Sequence, residues 1–115
     1  MRIETVQGAA WRVLSAETRD NDHHVFIDVY GADGADLRDT GVRVRFGWEG
    51  MQPDETPAPV AVGGKPSNEP ACSIPLWPGQ RAWVEIDGAS SERVSGLEIS
   101  DLASFVVRFQ ATGVH

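Results

Sequence analysis

Most of the chain alternates apolar and polar residues with a period of two, which is the spacing of a β-strand with one buried face. The clearest case is His23–Tyr30, where Val25, Ile27 and Val29 would share the buried face. Weaker alternation predicts further strands over Trp11–Glu17, Val42–Trp48, Arg81–Asp87, Val94–Ser100 and Ser104–Ala111. No segment keeps the 3.6-residue period of an amphipathic helix, so the pattern predicts an all-β protein.

The pattern also assigns faces and turns. Strict alternation places Trp11 and Ser15 on one face of the first strand, and Gly96 interrupts the strand near the C-terminal end. Asp20-Asn21-Asp22 and Gly31–Asp36 have the composition of turns. We expect the second of these turns to join adjacent antiparallel strands.

Six or seven short strands with turns at this spacing predict an antiparallel β-sandwich of immunoglobulin-like size, with a small barrel as the alternative. A length of 115 residues is typical of one domain. We therefore assign residues 1–115 to a single domain, in which Met1–Ala10 is a weakly patterned N-terminal arm.

Gly47–Gly79, which we call the proline belt, holds all seven prolines, the first at Pro53 and the last at Pro78. Each proline fixes φ at about −65° and removes a backbone donor, so this segment is predicted to form neither a helix nor a central strand. We predict that residues 50–79 form an ordered, largely extended loop that crosses the sandwich.

Charge and composition exclude several classes of function. A net charge of −7 and a pI of about 4.8 argue against a nucleic-acid-binding protein, which needs a basic face. No apolar run approaches the roughly 20 residues of a membrane span, and no basic and apolar leader opens the chain. The single cysteine, Cys72, excludes an internal disulfide and a cysteine-based zinc site, and its small neighbours predict a packed thiol. We predict no cofactor.

Two groups of residues raise the possibility of a metal site. His23 and His24 are adjacent in a predicted strand, so their side chains would point to opposite faces and would not share a metal ion. Asp33, Asp36 and Asp39 fall three residues apart, whereas a calcium loop places its acids two apart and ends in a glutamate. We predict a solvated turn here, and no metal site.

Four acids in or beside the proline belt, Glu49, Asp54, Glu55 and Glu69, could approach one another. A hydrolytic carboxylate pair needs a separation of roughly 5–9.5 Å and a cleft around the substrate. A sandwich of this size seldom offers a cleft deep enough, so we predict that the protein is not an enzyme.

The tryptophans allow two interpretations. In the first, Trp11 and Trp48 lie in the core and Trp77 pins the belt to the sandwich. In the second, an exposed tryptophan at one rim stacks on a sugar or a protein, with Asp54, Asn68 and Glu69 donating or accepting hydrogen bonds.

The outward-facing arginines Arg43 and Arg45 would pair with carboxylates of a partner. The candidate binding surface predicted from the sequence consists of Arg43, Arg45, Trp48, Glu49, Asp54, Asn68, Glu69, Trp77 and Trp83.

Two runs carry a resemblance, GWEGMQPDETPAP at Gly47–Pro59 and KPSNEPA at Lys65–Ala71. They resemble a small β-sandwich module at the ends of bacterial and phage cell-wall-hydrolase-like proteins, over roughly His23 to Gln110. That module often has a longer loop with Trp and His before its last strand, and here only Ser100–Ala103 remains. A free-standing acidic sandwich of this size also resembles the decoration, cement or head-fibre proteins of tailed phages.

The resemblance implies a non-catalytic virion accessory protein, made in the bacterial cytoplasm and bound to a capsid or tail protein on the virion surface. The alternative is an extracellular carbohydrate-binding module for cell-wall or capsule glycan, with Trp77 or Trp83 as its stacking surface. The sequence leaves the oligomeric state open.

Overall fold

A computed structural model describes residues 1–20 and 23–113, and these residues form nine strands in two packed sheets. This confirms the prediction of an all-β sandwich. The strands are β1 (Arg2–Glu4), β2 (Trp11–Asp20), β3 (His24–Tyr30), β4 (Arg43–Trp48), β5 (Val60–Ala61), β6 (Cys72–Pro75), β7 (Arg81–Ile86), β8 (Arg93–Glu98) and β9 (Ala103–Ala111). Asn21 and Asp22 of the predicted Asp20-Asn21-Asp22 turn lie outside the described residues.

The strands divide into a five-stranded sheet, in the order β1-β8-β7-β4-β5, and a four-stranded sheet, in the order β2-β9-β3-β6. Every described strand pair is antiparallel except β3 and β9, which run parallel with Val25 opposite Phe105. The four-stranded sheet is therefore mixed rather than purely antiparallel. Alternation of apolar residues defines a buried face but not the direction of the neighbouring strand, so the sequence pattern does not reveal this pair.

The core lies between the inner faces of the two sheets. Val25, Ile27 and Val29 of β3 are fully buried, as their alternation predicted. Phe109 of the neighbouring strand β9 and Val84 of β7 in the opposite sheet are also fully buried. Burial of apolar surface on this scale is the main force that holds the layers together, at roughly 25 cal/mol per Å².

The turn at Gly31–Asp36 does not form the predicted hairpin. It leaves β3 in the four-stranded sheet and leads to β4 in the five-stranded sheet, so the chain crosses between layers here. Backbone hydrogen bonds from Gly31 to Ala35 and from Leu37 back to Val29 close the turn locally. Glycine and aspartate favour a tight turn, but the pairing of the flanking strands depends on the rest of the fold.

A β-bulge in β2 changes which side chains of this strand face the core. The register of β2 against β9 shifts between Val13 and Ser15, so that Ser15 lies opposite Arg108 and Ala16 lies opposite the buried Val107. Ser15 consequently points outward, and the prediction that it shares a face with Trp11 is wrong. The extra residue, Leu14, is 47% exposed.

Gly96 does not break its strand, because β8 runs continuously from Arg93 to Glu98. The register shifts against the β7 residues Ala82 and Val84, and Gly96 has a φ of +67°. A positive φ inside a bulge favours glycine, so the glycine continues the strand rather than ending it.

The N-terminal arm is more ordered than its weak pattern predicts. Arg2–Glu4 forms β1, an edge strand that pairs with β8 and places Ile3 opposite Val94. Three residues are too few to show a recognisable alternation in the sequence.

The proline belt crosses the sandwich as an ordered segment, but it is not all loop. It contains β5 and β6, each at the edge of a sheet, where a missing backbone donor is tolerated. It also contains a single turn of 3-10 helix at Pro53–Glu55, so the prediction that the belt forms no helix is wrong at this turn. This short helix begins on a proline, the position at which the missing N–H group has no helical partner in any case.

The Arg38 side chain fixes the belt to the sandwich. Its guanidinium donates hydrogen bonds to the backbone carbonyls of Pro66 (2.6 Å) and Glu69 (3.0 Å), and to the carboxylate of Asp36 (2.8 Å). It also lies 3.5 Å from Asp28 on β3, and both side chains of this pair are only 14% exposed. Asp28 in turn accepts a hydrogen bond from the backbone N–H of Ala71 in the belt.

Substitution of Arg38 by lysine should loosen the belt, because an ammonium cannot reach all the acceptors that the guanidinium holds. We expect a loss of about 2–3 kcal/mol in the free energy of unfolding, measured by urea titration. Amide hydrogen exchange should accelerate at Gly64 and Ala71 before it accelerates in β9.

The matched control is Arg43→Lys, since Arg43 is exposed and forms no ion pair among the described residues. We expect this change to stay within about 0.5 kcal/mol of the parent. Equal stability of the two variants would contradict the role assigned to Arg38.

Candidate functional site

The structure distributes the predicted binding residues over four places. Arg43, Arg45 and Trp83 lie on the outer face of the five-stranded sheet, and Asn68 and Glu69 line a groove on the four-stranded sheet. The remaining predicted residues, described below, lie at the start of the belt and at one end of the sandwich. No single surface contains them all.

On the five-stranded sheet, Arg45 is already paired within the protein. Its guanidinium donates to Glu85 at 2.6 Å, and Arg93 donates to the same carboxylate oxygen at 2.8 Å. The Arg93 guanidinium also lies 3.9 Å from the centre of the Trp83 ring. Arg45 and Trp83 are therefore engaged in contacts within the sheet, and of the two predicted arginines Arg43 is the one without an ion pair in the described part of the chain.

Gly47 makes room for the Trp83 indole. A Cβ atom at Gly47 would lie 2.7 Å from a carbon of that ring, closer than real Cβ contacts allow. Gly47 and Trp83 are register partners on β4 and β7, so the indole lies across the glycine. In the sequence Gly47 only marks the start of the proline belt, and no local pattern indicates this contact.

At the start of the belt, Trp48 is half-buried and packs against the core, as the first interpretation of the tryptophans predicted. Glu49 is exposed and lies 3.8 Å from Arg81. Asp54 is exposed in the 3-10 helix, where Glu55 accepts a hydrogen bond from the backbone of Gln52. Glu69 lies instead in the groove on the other sheet, so the four acids of the belt do not converge.

One end of the sandwich, which we call the apolar end, carries the tips of two turns, Trp77 and Leu102. Trp77 is 78% exposed and Leu102 is 80% exposed. The first turn is held by a hydrogen bond from the Trp77 backbone to the Gln80 side chain (2.7 Å) and by one from Gly79 to Ile99 (2.8 Å). The second turn follows Ile99 directly and is closed by the Ser100–Ala103 bridge. Trp77 therefore does not pin the belt, and it is exposed as the second interpretation required.

A groove with a polar lining lies on the outer face of the four-stranded sheet. It encloses about 420 Å³ over β2, β9 and β3, and residues 67–70 of the belt form one wall. The charged, amide and aromatic side chains that line it are four acids, three arginines, one amide and one tyrosine: Glu17, Asp28, Asp36, Glu69, Arg19, Arg38, Arg108, Asn68 and Tyr30.

Most charges in this groove are paired with one another. Arg38 holds Asp28 and Asp36, and Arg108 lies 3.5 Å from Glu17 while it donates to the Ser15 hydroxyl. Burial alone would raise the pKa of the Asp36 carboxyl, but hydrogen bonds from the Arg38 backbone and side chain outweigh it and hold that pKa below 3.8. Asp36 is thus ionised at neutral pH and is held in place by Arg38.

The three aspartates that were considered as calcium ligands bind backbone groups instead. Asp33, Asp36 and Asp39 each accept hydrogen bonds from backbone N–H groups nearby, at Ala35, Arg38 and Gly64, respectively. Among residues 1–20 and 23–113, no group of three or more His, Cys, Asp and Glu side chains could hold a metal ion.

The prediction for the two histidines is wrong, whereas the prediction for the cysteine is confirmed. The His23 and His24 rings lie 4.9 Å apart, so the prediction that they point to opposite faces is wrong; His23 precedes β3 and does not follow strand alternation. Cys72 is buried, as predicted, and burial raises the pKa of its thiol to about 11.

In the described part of the chain, no helix has the length and apolar character needed to cross a membrane.

Comparisons of the chain with protein-family models, with curated proteins and with solved structures give no significant match. The resemblance to the phage and cell-wall-hydrolase module therefore stays a prediction from its two sequence runs.

Replacement of Glu85 by glutamine tests the network that holds Arg45 and Trp83. Burial alone would raise the pKa of the Glu85 carboxyl, but its hydrogen bonds to Arg45 and Arg93 outweigh this and hold the pKa below 4.5. The ionised carboxylate thus stabilises the fold above pH 4.5, and this contribution is lost as the pH falls through the lowered pKa. We expect Glu85→Gln to destabilise by about 1–2 kcal/mol at pH 7.

The difference between parent and variant should stay constant from about pH 7 to pH 5 and close in more acidic solution, as urea titrations at each pH would show. Glu98→Gln is the control, because the Glu98 side chain is 77% exposed and lies 3.9 Å from Arg81. A pH-independent Glu85→Gln difference would contradict the assignment.

Proposed function

We propose that this protein is a non-catalytic binding protein that attaches to a larger protein assembly, and that the assembly is a phage capsid or tail, as its sequence resemblance implies. The observation that carries the proposal is the apolar end, where Trp77 and Leu102 are each more than three-quarters exposed. Exposed tryptophan is the side chain most often found at the energetic centre of protein interfaces.

The anchoring of both turns supports a docking role. Hydrogen bonds from Trp77 to Gln80 and from Gly79 to Ile99 fix the first turn, and the Ser100–Ala103 bridge fixes the second. A surface whose backbone is already ordered loses little conformational entropy on binding, so more of its contact energy appears as affinity.

The state of the reactive groups supports a non-catalytic role. The raised pKa of Cys72 keeps its thiol neutral at pH 7, and a nucleophilic cysteine needs the thiolate. Asp36 is held ionised by Arg38, whereas a general acid near neutral pH needs a raised pKa.

Trp77→Ala should weaken attachment to the assembly, because Trp77 is the most exposed aromatic side chain at the apolar end. The experiment prepares phage particles that lack this gene, adds the purified protein back and measures the bound fraction by sedimentation. We expect Trp77→Ala to weaken binding by at least about 30-fold, the loss typical of a hot-spot tryptophan. Leu14→Ala is the control, because Leu14 is an exposed apolar residue on another part of the surface.

Negative-stain images of the deletion particles provide an independent readout. We expect them to lack a surface feature that the added protein restores. Particles that match the wild type, with no binding of added protein, would overturn the proposal.

The groove on the four-stranded sheet favours a second candidate function, binding of a glycan. Its lining combines ionised acceptors, arginine donors and the half-buried Tyr30. Sugar hydroxyls both donate and accept hydrogen bonds, and the C–H face of a sugar ring packs on an aromatic side chain. This arrangement differs from the sequence-based expectation, which assigned the stacking role to Trp77 or Trp83.

Tyr30→Ala should weaken retention of the protein in affinity gels that contain bacterial cell-wall or capsule polysaccharides, by about fivefold or more. Tyr30→Phe keeps the ring and should retain most of the binding. Trp77→Ala should leave this retention unchanged, which separates the groove from the apolar end. Retention lost with Trp77→Ala but not with Tyr30→Ala would contradict the groove as the glycan site.

A further inference from the structure

A second hollow continues the groove along the four-stranded sheet towards β6. It encloses about 230 Å³ and shares Arg19, Glu69 and Pro70 with the groove. Its remaining lining residues are Phe26, Lys65 and Ser73. We call it the Arg19–Lys65 hollow.

Two cations without an acidic partner meet in this hollow. The chain has 17 acidic against 10 basic residues, and most arginines pair with acids. The ion-paired arginines are Arg2, Arg38, Arg45, Arg81, Arg93 and Arg108. Arg19 and Lys65 form no ion pair within residues 1–20 and 23–113, although they line the same concave site.

The Arg19 side chain packs against the ring of Phe26, which lines the same hollow. Its guanidinium lies 5.3 Å from the centre of the Phe26 ring, a cation–π contact, while Phe26 itself contacts His24 on the same face of β3. Glu69 lines the same hollow, so Arg19 and Lys65 together leave it with one net positive charge, which favours an anion there although the whole protein carries a net charge of −7.

We propose that the Arg19–Lys65 hollow binds the carboxylate of an acidic sugar, within a glycan that lies along the groove. This inference rests on the second candidate function above. A guanidinium binds a carboxylate through two parallel hydrogen bonds, and an ammonium adds a point charge. Phe26 and Pro70 supply apolar surface for the sugar ring, and Ser73 and Glu69 supply partners for its hydroxyls.

The position of the groove favours a sugar over an acidic peptide. An extended peptide typically gains affinity by adding a strand to an exposed sheet edge. This groove lies instead on the face of the sheet, over β9, whose backbone pairs with β2 on one side and β3 on the other. Recognition over β9 therefore depends on side chains, and a chain of hydroxyl-rich rings offers them many hydrogen-bond partners.

The test is calorimetric titration of the protein with hexagalacturonate, with its fully methyl-esterified form and with a hexaglutamate peptide. We expect the free acid to bind at least about tenfold more tightly than the ester, since the ester has lost the charge that Arg19 and Lys65 recognise. We expect the peptide to bind no better than the ester.

Arg19→Gln and Lys65→Gln should each weaken binding of the acid by about fivefold, and leave binding of the ester unchanged. Arg43→Gln is the control, because it removes an exposed, unpaired arginine from the opposite sheet and the same amount of net charge. Arg19 and Lys65 are both exposed, so these variants should keep the parent's unfolding midpoint.

The possible negative results contradict different proposals. Equal binding of acid and ester would overturn the carboxylate site and leave glycan binding standing. Binding of hexaglutamate as tight as that of the acid would overturn recognition of a sugar. If neither sugar binds, both this inference and the glycan-binding function are wrong, whereas attachment to particles through Trp77 is unaffected.

Discussion

Arg38 lies in the segment that connects β3 to β4, and its guanidinium ties this segment to the proline belt. The position of the belt beside the four-stranded sheet depends on this contact. The guanidinium donates hydrogen bonds to the backbone carbonyls of Pro66 and Glu69 in the belt, while Asp28 and Asp36 balance its charge. Asp28 extends the contact by accepting the Ala71 N–H group. Because the belt forms one wall of the groove, the shape of the groove follows from this cluster.

Charge pairing also determines which polar residues remain available to a ligand. On the five-stranded sheet, Glu85 engages both Arg45 and Arg93, and Arg93 covers part of Trp83. On the four-stranded sheet, Arg108 pairs with Glu17, but Arg19 and Lys65 have no acidic partner in the described part of the chain. The two sheets therefore differ in which charged side chains they leave unpaired among the described residues: Arg43 on the five-stranded sheet, and Arg19, with Lys65 of the belt beside it, on the four-stranded sheet.

The apolar end and the groove are separate surfaces with different chemistry. Trp77 and Leu102 expose large apolar side chains on turns held by backbone hydrogen bonds, a combination typical of protein interfaces. The groove exposes charged donors and acceptors over β9 and β3, the two central strands of the four-stranded sheet. The two proposed binding functions would therefore use different residues and would not compete for one surface.

The sequence by itself determined the class of the fold, the buried face of β3 and the burial of Cys72, because local alternation and residue size decide these features. It also indicated that β5 and β6, within the proline belt, would not be central strands. Only the tertiary structure decided the parallel pairing of β3 with β9, the outward turn of Ser15 at its bulge and the meeting of Arg19 with Lys65. Arg19 and Lys65 are 46 positions apart in the sequence, and no local pattern records that they share a hollow. Their proximity arises from strand order and belt path, which the packing of the whole chain determines.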